Sequence, residues 1–215
     1  DVRRVPFRSG VLIASNDPFR LKRLAYAKGG EKASTPGVST NPEIISNYVG
    51  VPFGVASGFA APATSYIGPS LFVKGEFNRP VILMTAAEVQ FSLAEAKQRF
   101  PAVTLPGTAQ SYYEEGVRQS FRVLGVANAT AQANVLTSSG IADADFTASP
   151  DKLRAIAIQK WLALANFSGL EAWTEYRKSN LPVTPQANTV TSTDRPLRFY
   201  YPSSESGSNP NVPSG

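Results

Sequence analysis

The sequence predicts a mainly α fold in which paired helices support long irregular loops, and three observations carry that prediction. Residues 150–164 form a run whose apolar members, Ile156, Ile158, Trp161, Leu162 and Leu164, cover almost every side of a helical cylinder. No charge falls between Trp161 and Leu170. A helix that is apolar all round has to be enclosed by other elements. Segments 85–100 and 108–124 each open on a Thr suited to capping and close on Pro or Gly. The short turn Leu105-Pro106-Gly107 between them favours antiparallel packing. Residues 1–80, by contrast, lack helical periodicity and are punctuated throughout by Gly, Pro, Ser, Thr and Asn.

In chain order, residues 1–80 read as a loop-rich segment packed on the helical scaffold. Val11-Leu12-Ile13 and Leu71-Phe72-Val73 have the composition of short strands. One helical turn is expected over 42–48, with Asn41 as cap and Pro42 at the first helical position. So long a stretch without periodicity either lies across a supporting scaffold or forms binding loops. Tyr48, Phe53, Phe59 and Tyr66 lie on it among small residues. Such rings stack on a sugar, anchor a partner, or pin loops to the core, and these four are the candidate ligand-binding residues.

Helical order begins after Arg79-Pro80. Thr85 and Glu88 have the spacing of a capping box, and Val89, Leu93 and Ala96 share one stripe with Ala86 and Phe91 on its flanks. Glu95 and Arg99 form a supporting i,i+4 pair, and Pro101 stops the helix. Thr108 caps the next helix, which places Tyr113, Val117, Phe121 and Leu124 on one face and ends at Gly125. A further short helix is expected over 127–136, followed by Ser138-Ser139-Gly140 and a loop over 141–149. Ser149 is the expected N-cap of the central helix, with Pro150 at its first position and Asp151 in its first turn. Gly169 breaks the run, and a shorter helix ends before Pro182. Residues 81–180 are thus a helical hairpin scaffold and 181–215 an extended C-terminal segment, all one domain with 1–80. The hairpin lengths are those of repeats that stack into a solenoid. The predicted fold class is mainly α, with tetratricopeptide-like helical hairpins, long irregular loops and a few short strands.

The 215-residue chain has neither Cys nor His, which removes disulfide, thiolate and imidazole chemistry, including any Ser/His/Asp or Cys/His set. Of the net charge of +5, the excess lies in residues 1–32, with eight Lys or Arg against three acids; the remainder is balanced at thirteen each. No basic helix or nucleic-acid motif accompanies these charges, so they read as a solvated or partner-facing segment and no nucleic-acid partner is expected. Glu114-Glu115 and Glu171/Glu175 are the paired carboxylates that glycosidase chemistry would require. The first pair is adjacent on a helix and diverges; the second shares a face with Lys178, and helix-surface ion pairing accounts for it. Trp161 and Trp173 fall within helical apolar patterns and read as packing residues. No catalytic residue, cofactor or metal ligand is assigned.

Three segments together carry a resemblance: Arg79-Pro-Val-Ile-Leu-Met-Thr-Ala-Ala-Glu-Val-Gln-Phe-Ser-Leu-Ala-Glu-Ala; Gln159-Lys-Trp-Leu-Ala-Leu with Gly169-Leu-Glu-Ala-Trp-Thr-Glu-Tyr-Arg-Lys; and Arg195-Pro-Leu-Arg-Phe-Tyr-Tyr-Pro-Ser-Ser-Glu with Asn209-Pro-Asn. In this order, over about residues 75–212, they resemble the C-terminal half of a SusD/RagB-type outer-membrane nutrient-binding lipoprotein of Bacteroidota. Asp1-Val-Arg-Arg-Val-Pro-Phe is similar to a mid-chain segment of that family. The resemblance implies a lipid-anchored protein on the outer face of the outer membrane. It would sit as a lid over a SusC-like TonB-dependent β-barrel transporter and hand it an oligosaccharide or peptide. Family members are considerably longer, so the chain reads as the C-terminal part of a longer protein, with the lipid-bearing Cys on an N-terminal polypeptide portion outside this sequence. The matching residues are scaffold, and no family ligand set carries over.

The function expected is therefore non-enzymatic: a cell-surface nutrient-binding subunit that delivers glycan or peptide to its transporter. The alternative is a helical-repeat adaptor that binds protein and no small molecule.

Overall fold

The computed structural model describes residues 8–29, 41–51, 58, 63–68, 70, 78, 81–164, 167–183 and 201–211. Among these the chain is mainly helical, as expected. Helix α1 spans Arg8–Ala14, α2 Pro18–Leu24, α3 Ala86–Arg99, α4 Ala109–Val123, α5 Ala129–Thr137, α6 Lys152–Leu164, α7 Gly169–Ser179 and α8 Ser203–Ser208. The one β pairing among the described residues is an antiparallel bridge between Ala25 and Ile67. No described helix is long and apolar enough to cross a membrane.

The two helical hairpins form where the caps place them. Thr85 Oγ1 accepts the Glu88 N–H at 3.2 Å at the start of α3, and Thr108 with Ser111 makes a reciprocal capping box at the start of α4. At the end of α4, Gly125 takes a left-handed φ of 67°. This lets the Val126 N–H reach the Phe121 carbonyl at 3.0 Å, the 6→1 bond that closes a helix. Between α3 and α4 the backbones come close: a Cβ on Gly116 would lie 2.8 Å from the Phe91 ring. The α6–α7 hairpin starts two residues later than expected. Asp151, not Ser149, caps α6, because its Oδ1 accepts the Arg154 N–H at 3.0 Å, while the Ser149 hydroxyl donates to the Asp151 carbonyl.

Helix α6 joins two cores, which is why its sequence is apolar all round. Ile158, Trp161, Leu162 and Leu164 pack with Leu12, Leu21, Leu24, Tyr48 and Tyr176, whereas Ala155, Ile156 and Ala163 pack with Phe91, Tyr113, Val117, Phe121 and Leu136. The predicted buried face of α4 is therefore correct in all four members.

Several further expectations need correction. Residues 11–13 are not a strand; they lie in α1, and Leu12 is buried. The segment before residue 80 holds more than one helical turn, since α2 is capped by Asp17, which accepts the Arg20 N–H at 3.1 Å, with Pro18 in the first turn. The turn over 42–48 forms as a 3₁₀ helix, Ile45–Asn47, with Asn41 Oδ1 accepting the Glu43 N–H at 2.9 Å. The third correction concerns α3, whose buried stripe is Ala87, Phe91 and Ala94, while Val89 is exposed and Leu93 and Ala96 are half-buried. The run 71–73 lies outside the described residues, and the C-terminal segment, expected to be extended, contains the short helix α8.

One polar cluster sits inside the apolar surroundings. The Arg20 guanidinium is fully buried; it donates to Asp17 Oδ2 and Gln159 Oε1, and to Ser120 Oγ at 3.3 Å. It also lies 5.2 Å from the Phe121 ring centroid. Four donated bonds and contacts from one side chain thereby tie α2 to α4 and α6.

Candidate functional site

The irregular segments that carry the candidate ring residues are laid on this scaffold by lateral backbone bonds. The Lys28 N–H donates to the Asn47 carbonyl at 2.7 Å, Gly29 N–H to Thr64 O at 3.1 Å, Ser65 N–H to Val49 O at 2.8 Å and Tyr26 N–H to Tyr66 O at 2.9 Å. Gly68 is required where this layer meets the end of α2: a Cβ there would lie 2.5 Å from the Ala25 nitrogen and the Arg23 carbonyl oxygen. Arg23 Nε donates to the Leu124 carbonyl at 2.8 Å and Ser70 Oγ donates to the same oxygen, so the end of α4 is satisfied by the loop layer.

Within this layer Tyr48 is buried in the core of α1, α2, α6 and α7, and its hydroxyl donates to the Pro42 carbonyl at 3.1 Å. Burial first, and the nearby Glu43 carboxylate second, push its pKa up to about 12. Its ring is turned inward. Tyr66 is half-buried, on the segment bridged to Ala25. Phe53 and Phe59 lie outside the described residues.

The candidate carboxylates are drawn into ion pairs. Glu114 and Glu115 both engage Arg118, at 3.1 and 3.2 Å, and Glu115 also meets Arg122 at 3.1 Å. Burial pushes the Glu115 pKa up, but the bonds from Gln119 and Arg118 outweigh it and hold the carboxyl below its ordinary range. Glu171 is exposed, whereas Glu175 is buried and belongs to an interhelical network rather than a surface pair. Lys160 Nζ on α6 lies 3.0 Å from Glu175, and Lys178 Nζ lies 2.9 Å from Glu175 and 2.6 Å from Glu95 on α3; Arg99 adds a 2.7 Å bond to Glu95. Glu95, Arg99, Glu175 and Lys178 line a cleft of about 270 Å³ together with Asp151 and Arg154. For Glu95 too, burial acts upward and is outweighed by Lys178 and Arg99, so the carboxyl is held low. General-acid chemistry needs a carboxyl held protonated; Glu95 and Glu115 are both shifted the other way. The cleft is a set of ionic ties between α3, α6 and α7. Among the described residues no group of three or more acidic side chains is placed to hold a metal ion.

The two Trp residues part company. Trp161 is in the core, while Trp173 is 49% exposed on α7, stacked on Tyr176 at 5.6 Å and 29° with the Arg177 guanidinium 5.8 Å from its ring. The buried face of α7 is Ala172, Glu175 and Tyr176. The expected packing role of Trp173 is not met: its i+4 neighbour is the charged Arg177, and Ala172 and Tyr176 take the buried face.

Comparison with known proteins places this arrangement. A family model described as SusD-like, starch-binding and associating with the outer membrane, matches residues 10–202. No match was found among curated proteins. Among solved structures, a chitin-binding protein is 27% identical with a TM-score of 0.64, over 94% of this chain and 43% of that one. An outer-membrane protein of Bacteroides vulgatus, linked by its description to nutrient binding, shares the fold at 23% identity and a TM-score of 0.60, over 93% of this chain and 44% of that one. The chain spans less than half the length of either. With the match covering most of its length, the chain belongs to the SusD-like family of proteins described as starch-binding and associating with the outer membrane.

Proposed function

We propose that the protein is a non-enzymatic carbohydrate-binding subunit on the outer face of the outer membrane, which delivers its ligand to a SusC-like TonB-dependent transporter. The observation that carries the reading is the family match over residues 10–202. The chitin-binding neighbour supports an oligosaccharide over a peptide. The helical scaffold supports the irregular segments 41–51 and 63–68, where ring faces and backbone amides suit a sugar. Within this proposal Tyr66, Phe53 and Phe59 contact the ligand, and Tyr48 acts through the loop that it anchors. The lipid anchor resides on a preceding polypeptide portion.

The transport half of the proposal is tested by native mass spectrometry of the protein extracted in detergent from its own cells. Recovery with a large β-barrel subunit and a lipidated polypeptide supports it. Recovery at the chain's own 23.0 kDa, without lipid or barrel, sinks it and favours the adaptor alternative.

A further inference from the structure

Just past the end of α2 the chain turns extended and places a second tyrosine beside Tyr66. Ala25 has extended backbone angles, and Ala25 and Ala27 are both buried in the core of α1, α2, α6 and α7. Successive side chains of an extended segment point to opposite faces. Tyr26, between the two alanines, is therefore directed away from that core, and it is half-buried. The antiparallel bridge between Ala25 and Ile67 sets Tyr26 directly opposite Tyr66, and the Tyr26 N–H donates to the Tyr66 carbonyl at 2.9 Å. Directly opposed residues share one face of the pairing, with Cβ atoms about 4.5–5.5 Å apart. Tyr66 is half-buried as well, and among the described residues neither ring joins either apolar core.

The register of this pairing is fixed. The Gly68 N–H donates to the Leu24 carbonyl at 2.9 Å and the Ser70 N–H to the Arg23 carbonyl at 3.1 Å. A Cβ at position 68 would lie 2.5–2.6 Å from backbone atoms of Arg23, Leu24 and Ala25. A slip of one residue towards Ile67 would bring a side chain to that contact, where none fits. Helix α2 is itself held to α4 and α6 through Arg20. The two rings thus stand on a preorganised support, which lowers the cost of ordering them around a ligand. A tyrosine offers a flat apolar body with a hydroxyl at its rim, and a sugar ring presents the matching C–H face and hydroxyl edge. We propose that Tyr26 and Tyr66 form one two-ring platform for the sugar rings of an oligosaccharide, which makes Tyr26 a further binding residue of the loop layer. The role of Tyr26 rests on the carbohydrate reading of that layer.

The test is isothermal titration of the whole polypeptide with starch-derived and chitin-derived oligosaccharides. Tyr26→Leu keeps an apolar side chain and removes the ring, whereas Tyr26→Phe keeps the ring. For whichever sugar binds the parent protein, the expected result is binding weakened about tenfold or more by Tyr26→Leu and changed by less than about threefold by Tyr26→Phe. Both variants are expected to stay folded by circular dichroism. Unchanged binding by Tyr26→Leu, in a protein whose binding Tyr66→Ala weakens, overturns the platform and leaves the carbohydrate reading standing. Equal weakening by Leu and Phe also overturns it, because the ring is then not what the sugar meets. So does loss of the fold in Tyr26→Leu, which would make the ring a packing residue. An absence of saturable heat with the parent protein removes the carbohydrate reading and the platform together.

Discussion

Replacing Arg20 by Met removes the charged centre that ties α2 to α4 and α6 while keeping most of the side chain's volume. Arg20 and Asp17 are both fully buried, so the substitution strands a carboxylate, and it leaves Ser120 and Gln159 without the guanidinium donor. Breaking a buried pair from one side costs about 3–5 kcal/mol, mostly through the uncompensated charge left behind. Against a total stability of about 5–15 kcal/mol that is a large share. At a urea m-value of about 2 kcal/mol/M the midpoint should fall by about 1.5–2.5 M. The assay is urea unfolding followed by far-ultraviolet circular dichroism, with m compared between variants. Adding Asp17→Asn to Arg20→Met should recover about half of the loss, because Asn still caps α2 and no charge remains stranded. Gln159 keeps its second bond, from Nε2 to the Asp143 carbonyl at 2.8 Å, so its side chain stays placed in both variants. A single variant within about 0.5 kcal/mol of the parent, or a double variant no better than the single, would show that Arg20 is not the charged tie between these helices.

Gly116→Ala should cost about 1–3 kcal/mol in the same assay, because its methyl group meets the Phe91 ring at 2.8 Å; Phe91→Leu in the same chain should relieve part of it. The two indoles should separate cleanly in thermal melts: Trp161→Ala costs about 3–5 kcal/mol from the core, whereas Trp173→Ala costs less than about 1.5 kcal/mol from its half-exposed site. The α3–α7 tie makes stability fall on both pH flanks. Glu95 has its folded pKa held below the ordinary 4.5, so its contribution is present above that value and lost as pH drops through the lower folded value. For Lys178 burial acts downward but the bonds to Glu95 and Glu175 win, so its contribution is present below the ordinary 10.5 and lost as pH rises beyond it. Glu95→Gln should flatten the acid flank in unfolding measured across pH, and an unchanged flank would contradict the assignment.

How far the sequence revealed this molecule depended on whether local signals agreed with packing. Helices α4 and α6 were readable because a Thr cap, a Gly stop, a four-member stripe and an uncharged run all pointed one way. Helices α1 and α2 were not, since each is only seven residues long and sits among Gly, Ser and Asn that resemble loop chemistry. Asp17-Pro18 was a readable start signal even so. Nothing in the sequence could announce that Arg20 is buried, because a lone Arg is ordinarily placed in water and its partners come from residues 120 and 159. Helix α3 misled for another reason: both its stripes have apolar spacing, and which one the hairpins bury depends on tertiary contacts. The loop rings were located in the sequence, but Tyr48's inward placement follows from the core formed by α1, α2, α6 and α7, which no local pattern encodes.

In the proposed function this scaffold binds carbohydrate through its irregular segments. Isothermal titration of the whole polypeptide with starch-derived and chitin-derived oligosaccharides tests it most directly. Saturable binding to at least one of them is expected, weakened about tenfold or more by Tyr66→Ala, a loss of about 1.4 kcal/mol. An absence of saturable heat with both sugars, from a protein that is folded by circular dichroism, would contradict it.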